Sequence, residues 1–110
     1  MENKYFEEVN IAVTVCDAEG RILWMNRRSR EVNGEGLVGS NVLECHPEPA
    51  RSKLQALMAT GATNSYTIEK NGRKKIIYQT PWYEGGEYAG FTEFSMEIPF
   101  DMPHYVRKPV

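Results

Sequence analysis

The chain has 110 residues, 41% hydrophobic and 25% charged, with a formal net charge of −2. That length predicts one domain with its own core, the composition excludes a disordered chain, and the near-neutral balance excludes a global attraction to nucleic acid or an anionic membrane. With no apolar run near the ~18 residues of a bilayer span, no signal-peptide layout at Met1-Glu2-Asn3-Lys4, and only Cys16 and Cys45, the expectation is a cytoplasmic protein with reduced thiols.

Residues 1–10 read as an amphipathic lead-in around Tyr5-Phe6-Glu7-Glu8-Val9. A first strand is predicted over 11–17, with Ile11, Val13 and Val15 on one face and Ala12, Thr14 and Cys16 on the other. Both faces are apolar enough that each should meet something. Asp17-Ala18-Glu19-Gly20 makes a tight turn, and a strand over 21–25 completes a hairpin. Asn26 suits the N-cap of a short basic helix that Asn33-Gly34 stops. Gly36 and Gly39 mark turns, Val42-Leu43 seed a helical turn, and His46-Pro47 breaks the chain. Beyond it, Ala50, Leu54, Leu57 and Met58 fall at i, i+4, i+7 and i+8, the apolar stripe of a helix over 48–60. Pro49 suits its first turn and Gly61 the position just past its end.

The remainder is rich in strands. Residues 64–70 set Asn64, Tyr66 and Ile68 against Ser65, Thr67 and Glu69, and Asn71-Gly72 is a strong hairpin signal. The strand over 74–83 carries Ile76, Tyr78, Thr80 and Trp82 on one face and Ile77, Gln79 and Tyr83 on the other. Glu84-Gly85-Gly86 turns into the last strand, 87–98, where Phe94, Met96 and Ile98 share a face with Tyr88 and Thr92. Residues 99–110 form a Pro-containing tail of little periodicity. Two strands, then helices, then three strands predict an α+β fold: one antiparallel sheet with helices on one face.

In order and spacing, Asp17, Gly20, Asn26, Gly39, His46-Pro47, the 48–60 helix and the Asn71-Gly72 hairpin resemble a PAS domain over roughly residues 5–98. The resemblance implies a five-stranded antiparallel sheet of spatial order 2-1-5-4-3 filling residues 11–98. It also implies a sensory module that holds a small ligand or cofactor between sheet and long helix and signals through protein–protein contacts. The family's flavin light sensors place a reactive Cys directly after a Gly-x-Asn. Here Gly39-Ser40-Asn41 is followed by Val42, and Cys45 comes three residues too late, so adduct photochemistry is not expected. The haem branch resembles this chain at Met58-Ala59-Thr60-Gly61, but its ligating His sits about where Ala50 stands, with His46 one helical turn earlier. The cofactor is left unknown, haem on His46 being its sharpest version.

On alternation, Tyr66, Tyr78, Trp82 and Phe94 are expected on the inner faces of three adjacent strands. They either fill the core or, with Leu54 and Met58, line a pocket with His46 near its mouth. Cys45-His46 offers two metal ligands where a structural zinc site takes four, so no metal site is assigned. Catalysis lacks a Ser-His-Asp set and a phosphate-cradling Gly loop, and Glu93 alternates to the outer face, so no enzyme is expected. The predicted outer face, Ile77, Tyr83 and Phe91 with Ala12 and Cys16, is apolar enough for a partner surface. A homodimer through that face and segment 1–10 is expected, with output delivered to a separate effector protein. The alternative is an apo dimerisation module whose own side chains fill the pocket. Three basic clusters (Arg27, Arg28, Arg30; Arg73, Lys74, Lys75; Arg107, Lys108) read as solvated faces.

Overall fold

The computed structural model describes residues 3–109, the side chain of Cys45 excepted. The elements run α1 (Lys4–Glu7), β1 (Ala12–Asp17), β2 (Ile22–Met25), α2 (Arg27–Asn33), a 3-10 turn (Val42–Cys45), α3 (Ala50–Thr60), β3 (Asn64–Lys70), β4 (Arg73–Glu84) and β5 (Glu87–Ile98). All five strands join one antiparallel sheet in the order β2-β1-β5-β4-β3. The expected fold and strand order are therefore observed, and no helix among the described residues is long and apolar enough to cross a membrane.

Local chemistry explains the front half. The Asp17 carboxylate accepts from the N–H groups of Glu19 and Arg21, both at 2.9 Å, which closes the β1–β2 turn while Gly20 takes φ +91°. Asn26 does more than cap α2. Its Oδ1 accepts from Ser29 N at 3.0 Å and Val13 N at 2.9 Å, and its Nδ2 donates to the carbonyls of Phe6 and Ile11, both at 2.8 Å. The side chain is fully buried, and these four bonds bind the lead-in, β1 and α2 together; those to Val13 N and Ser29 N lie where water does not reach. The basic helix answers the acidic lead-in: Arg27 pairs with Glu8 at 2.9 Å and Arg30 with Glu7 at 2.8 Å. The hydrogen bond that Arg30 donates to Glu7 raises the Arg30 pKa above its ordinary value.

The core fixes which face of the sheet is which. Cys16, Ile22, Met25, Val42, Leu54 and Phe91 are buried together, with Leu37, Leu43, Leu57 and Met58 packed against them. Cys16 thus points toward α3, and register carries that direction across the sheet. Cys16 lies opposite Phe91 and Phe91 opposite Pro81; Ala12 lies opposite Ser95, then Ile77, then Tyr66. All of these share the helix-facing side.

This reverses the faces expected for β1, β4 and β5. Ile77 and Phe91, expected as an outer partner surface with Ala12 and Cys16, are buried against the helices, each below a tenth exposed. Tyr78, Trp82 and Phe94, expected in the inner pocket, lie on the opposite face, where Trp82 and Phe94 meet Val13, Val15 and the Phe6 side chain of α1. Glu93, expected outside, faces the helices. The reason is parity: successive strand residues alternate faces, and β4 and β5 carry large apolar groups on both, so composition alone does not choose between them. A β-bulge between Trp82 and Tyr83 then shifts the register, bringing Tyr88 to the helix-facing side, edge-on to the mostly exposed Tyr83.

Candidate functional site

The helix-facing side of the sheet is not solidly filled. A cleft of about 310 Å³ opens between α3 and strands β3 and β4, with His46, Pro49, Ala50, Lys53 and Leu54 on one wall and Asn64, Tyr66 and Gln79 on the other. This size lies at the lower end of small-molecule sites. The helical stripe supplies Leu54, and the alternation of β3 directs Asn64 and Tyr66 inward.

A polar row set by register runs across the sheet and meets the cleft at Asn64 and Gln79. Thr14, Glu93, Gln79 and Asn64 lie opposite one another on β1, β5, β4 and β3. Gln79 Nε2 donates to Glu93 Oε1 at 2.7 Å, and Gln79 Oε1 accepts from Asn64 Nδ2 at 3.3 Å. At the other end the Thr14 and Ser29 hydroxyls hydrogen-bond at 2.6 Å, and Asn33 Nδ2 donates to Ser29 Oγ at 3.2 Å. Gln79 is only 5% exposed, so its amide is oriented from both sides rather than left to solvent. The Tyr66 pKa is raised above the usual phenol range, by burial first and then by the Glu93 carboxylate.

His46 stands at the cleft's rim, as expected from the sequence. Its Nδ1 is 2.8 Å from the Val42 carbonyl oxygen. A carbonyl only accepts, so Nδ1 carries the proton, and in the neutral ring Nε2 is the acceptor.

Of the pocket residues expected from sequence, His46, Leu54 and Tyr66 are brought together. Met58 lies one turn along α3, facing a small void of about 10 Å³ with Leu54, Leu57, Tyr88 and Phe91. Tyr78, Trp82 and Phe94 belong to the far side. Sequence reasoning passed over Asn64, Gln79 and Glu93. The signal was present in β4, where Gln79 interrupts the run of Ile77 and Pro81 on one face, a place where a polar group needs a partner.

For haem, Ala50 stands in the cleft wall at the position where the family's haem branch carries its ligating His, and His46 supplies the one imidazole in the lining. For the metal reading, no three His, Cys, Asp or Glu gather among the described residues, and the Cys45 side chain lies outside them.

The opposite face carries a larger groove of about 500 Å³, walled by Phe6, Val13, Val15, Trp24, Trp82 and Phe94 among others, and overwhelmingly apolar. Leu23 and Phe6 at its edge are about half exposed.

Comparison with known proteins agrees with this architecture. Residues 6–98 match the model of a family described as the PAS fold. Among solved structures, the PAS domain of BvgS from Bordetella pertussis is similar at 16% identity with a TM-score of 0.68, covering 90% of this chain and 85% of that one. A sensory box sensor histidine kinase from Vibrio cholerae is similar at 14% identity and TM-score 0.67, covering 90% of each chain. A C-terminal domain from Streptococcus mutans gives 14% identity and TM-score 0.69, covering 86% of this chain and 81% of that one. At these identities the structural likeness speaks for the fold. No curated protein matches the chain.

Proposed function

The chain belongs to the PAS fold family, and from that premise we propose that it is a sensory signalling module. In this reading the helix-facing cleft binds a small ligand, and the opposite sheet face passes occupancy to a second copy of the chain and on to a separate effector protein. The similar Vibrio cholerae structure is named for a sensor histidine kinase, which supports the sensory assignment. A cytoplasmic location goes with it.

The observation that carries the ligand reading is the open cleft itself, mostly apolar in its lining, with the bonded Asn64 and Gln79 amides on its sheet-side wall. A largely apolar concavity with a few placed polar groups is the usual make-up of a small-molecule site. The alternative, a pocket filled by its own aromatics, loses Trp82 and Phe94 to the other face. A binding module rather than an enzyme is the reading, with His46 Nε2 and the Tyr66 hydroxyl as orienting groups. The association surface moves with the corrected register to Phe6, Leu23, Trp24, Trp82 and Phe94.

The test is denaturation of the purified protein followed by mass spectrometry of the supernatant. A stoichiometric small molecule is expected from the native sequence and is lost in Ala50→Phe, which fills the cleft from α3. Recovery of nothing, together with no thermal shift across a metabolite panel, would leave the apo interaction module.

A further inference from the structure

Beyond the α3 cleft, on the α2 side of the polar row, a second recess of about 140 Å³ is lined by Thr14, Asn33, Lys70, Lys75, Glu93 and Ser95 together with apolar groups. It has room for roughly five waters at ~30 Å³ each. Three charges line it, the Glu93 carboxylate and the Lys70 and Lys75 ammonium groups, and no ion pair joins them among the described residues. Among the described residues Glu93 accepts one hydrogen bond, from Gln79, and has no ion pair, although a carboxylate has about four acceptor sites. Lys75, partly buried on the same face, has no ion pair within 4.0 Å, and neither has Lys70 at the edge.

Neighbouring charges behave differently. Arg73 closes on Glu97 at 2.8 Å, and Arg28 reaches Glu31 at 3.3 Å. Both arginines adjoin the recess through a further polar pocket of about 260 Å³ that Lys75 shares. Register keeps Glu93 and Lys75 apart: Glu93 lies opposite Gln79 and Lys75 opposite Glu97, whose carboxylate Arg73 takes. The recess therefore presents a carboxylate at one end and ammonium groups at the other, an arrangement that matches a guest carrying both charges.

We propose that this recess binds a small zwitterion, an α-amino acid, with its ammonium on Glu93 and its carboxylate on Lys75. Thr14, Asn33 and Ser95 supply neutral hydrogen bonds beside it, and the Gln79 amide, shared between Glu93 and Asn64, links this recess to the α3 cleft. This names the ligand class and rests on the reading of the helix-facing side as a ligand site.

The experiment is calorimetric titration of the full chain with each of the twenty common L-α-amino acids. For any that binds, two analogues follow, the acid lacking the amine and the amine lacking the carboxylate. At least one amino acid is expected to bind, each analogue at least tenfold more weakly. Glu93→Gln, which preserves shape and folding by circular dichroism, should weaken the amino acid at least tenfold and leave the amine-free acid unchanged. Lys75→Met should weaken both acids. No binding by any amino acid overturns the inference, while a different compound recovered by mass spectrometry would keep the sensory reading intact. Amino acid binding that neither substitution changes overturns this site.

Discussion

The indole N–H of Trp82 donates a 2.9 Å hydrogen bond to the backbone carbonyl of Cys16, reaching across the strand that separates them. That strand contributes Gly90 at the crossing, which lies opposite both Asp17 and Trp82. A Cβ on Gly90 would stand 2.0 Å from the same Cys16 oxygen, and Gly90 has φ +154°. The aromatic ring and the missing side chain are two halves of one device: the glycine lets β5 pass β1 closely and the indole covers it.

Gly90→Ala should therefore destabilise by about 3 kcal/mol or more, because the obstacle is backbone and cannot rotate away. Trp82→Phe keeps most of the ring and loses the hydrogen bond, and about 1 kcal/mol is expected. Urea unfolding of the two variants checks both values and their order; an Ala variant as stable as the native chain would refute the account of the crossing.

The corrected faces make opposite forecasts for two phenylalanines three positions apart. Phe94→Glu should leave the fold intact and turn a dimer into monomer by sedimentation, since Phe94 lies in the apolar groove of the outer face. Phe91→Glu should unfold the chain, with a loss on the order of 4 kcal/mol, because it buries a carboxylate in the core. A soluble, folded Phe91→Glu monomer would restore the reversed register. A native chain that is monomeric at high concentration would remove the dimer.

Asn26→Ala removes four buried hydrogen bonds at once, two of which hold the carbonyls of Phe6 and Ile11. A loss of about 3 kcal/mol is expected, since the partners on the lead-in can turn to water while Val13 N and Ser29 N stay buried. Hydrogen exchange should rise first in residues 3–11. Uniform exchange along the whole chain would show that Asn26 acts only as a helix cap.

Tyr66 and Tyr88 both have pKa values raised above the ordinary phenol range, each by burial first. A raised folded pKa favours the neutral phenol in the native state. The unfolded chain then ionises first, and this contribution to stability is complete below about pH 10 and lost as pH rises through the folded values. Stability should accordingly fall above about pH 10, with two phenols titrating late by ultraviolet absorbance. Glu93→Gln should lower the Tyr66 value only in part, because the carboxylate is the lesser cause. An unchanged Tyr66 titration in that variant would separate Glu93 from the α3 cleft.

Local rules made much of the fold legible. Asp17 and Gly20 turn the first hairpin, Asn26 caps α2, the Ala50-Leu54-Leu57-Met58 stripe gives α3, Gly61 ends it with φ +66°, and Asn71-Gly72 joins β3 to β4. Each depends on neighbours within a few residues, so the sequence itself contains the cause. The strand order followed from the family resemblance rather than from periodicity; Leu54 and Tyr66 follow from the helical stripe and the alternation of β3, while His46, between the 3-10 turn and α3, follows from its place beside the helix start.

What only the tertiary structure decided was the facing of β1, β4 and β5. A strand that is apolar on both sides has no local preference, and its direction is set by the partner across the ladder: Phe91 faces inward because Cys16 does, and Glu93 because Thr14 does. One step of parity moves Tyr78, Trp82 and Phe94 to the outer face and brings Gln79 and Glu93 to the helix-facing side. The candidate site therefore rests on long-range pairing, between residues as far apart as Thr14 and Glu93, which no window along the chain contains.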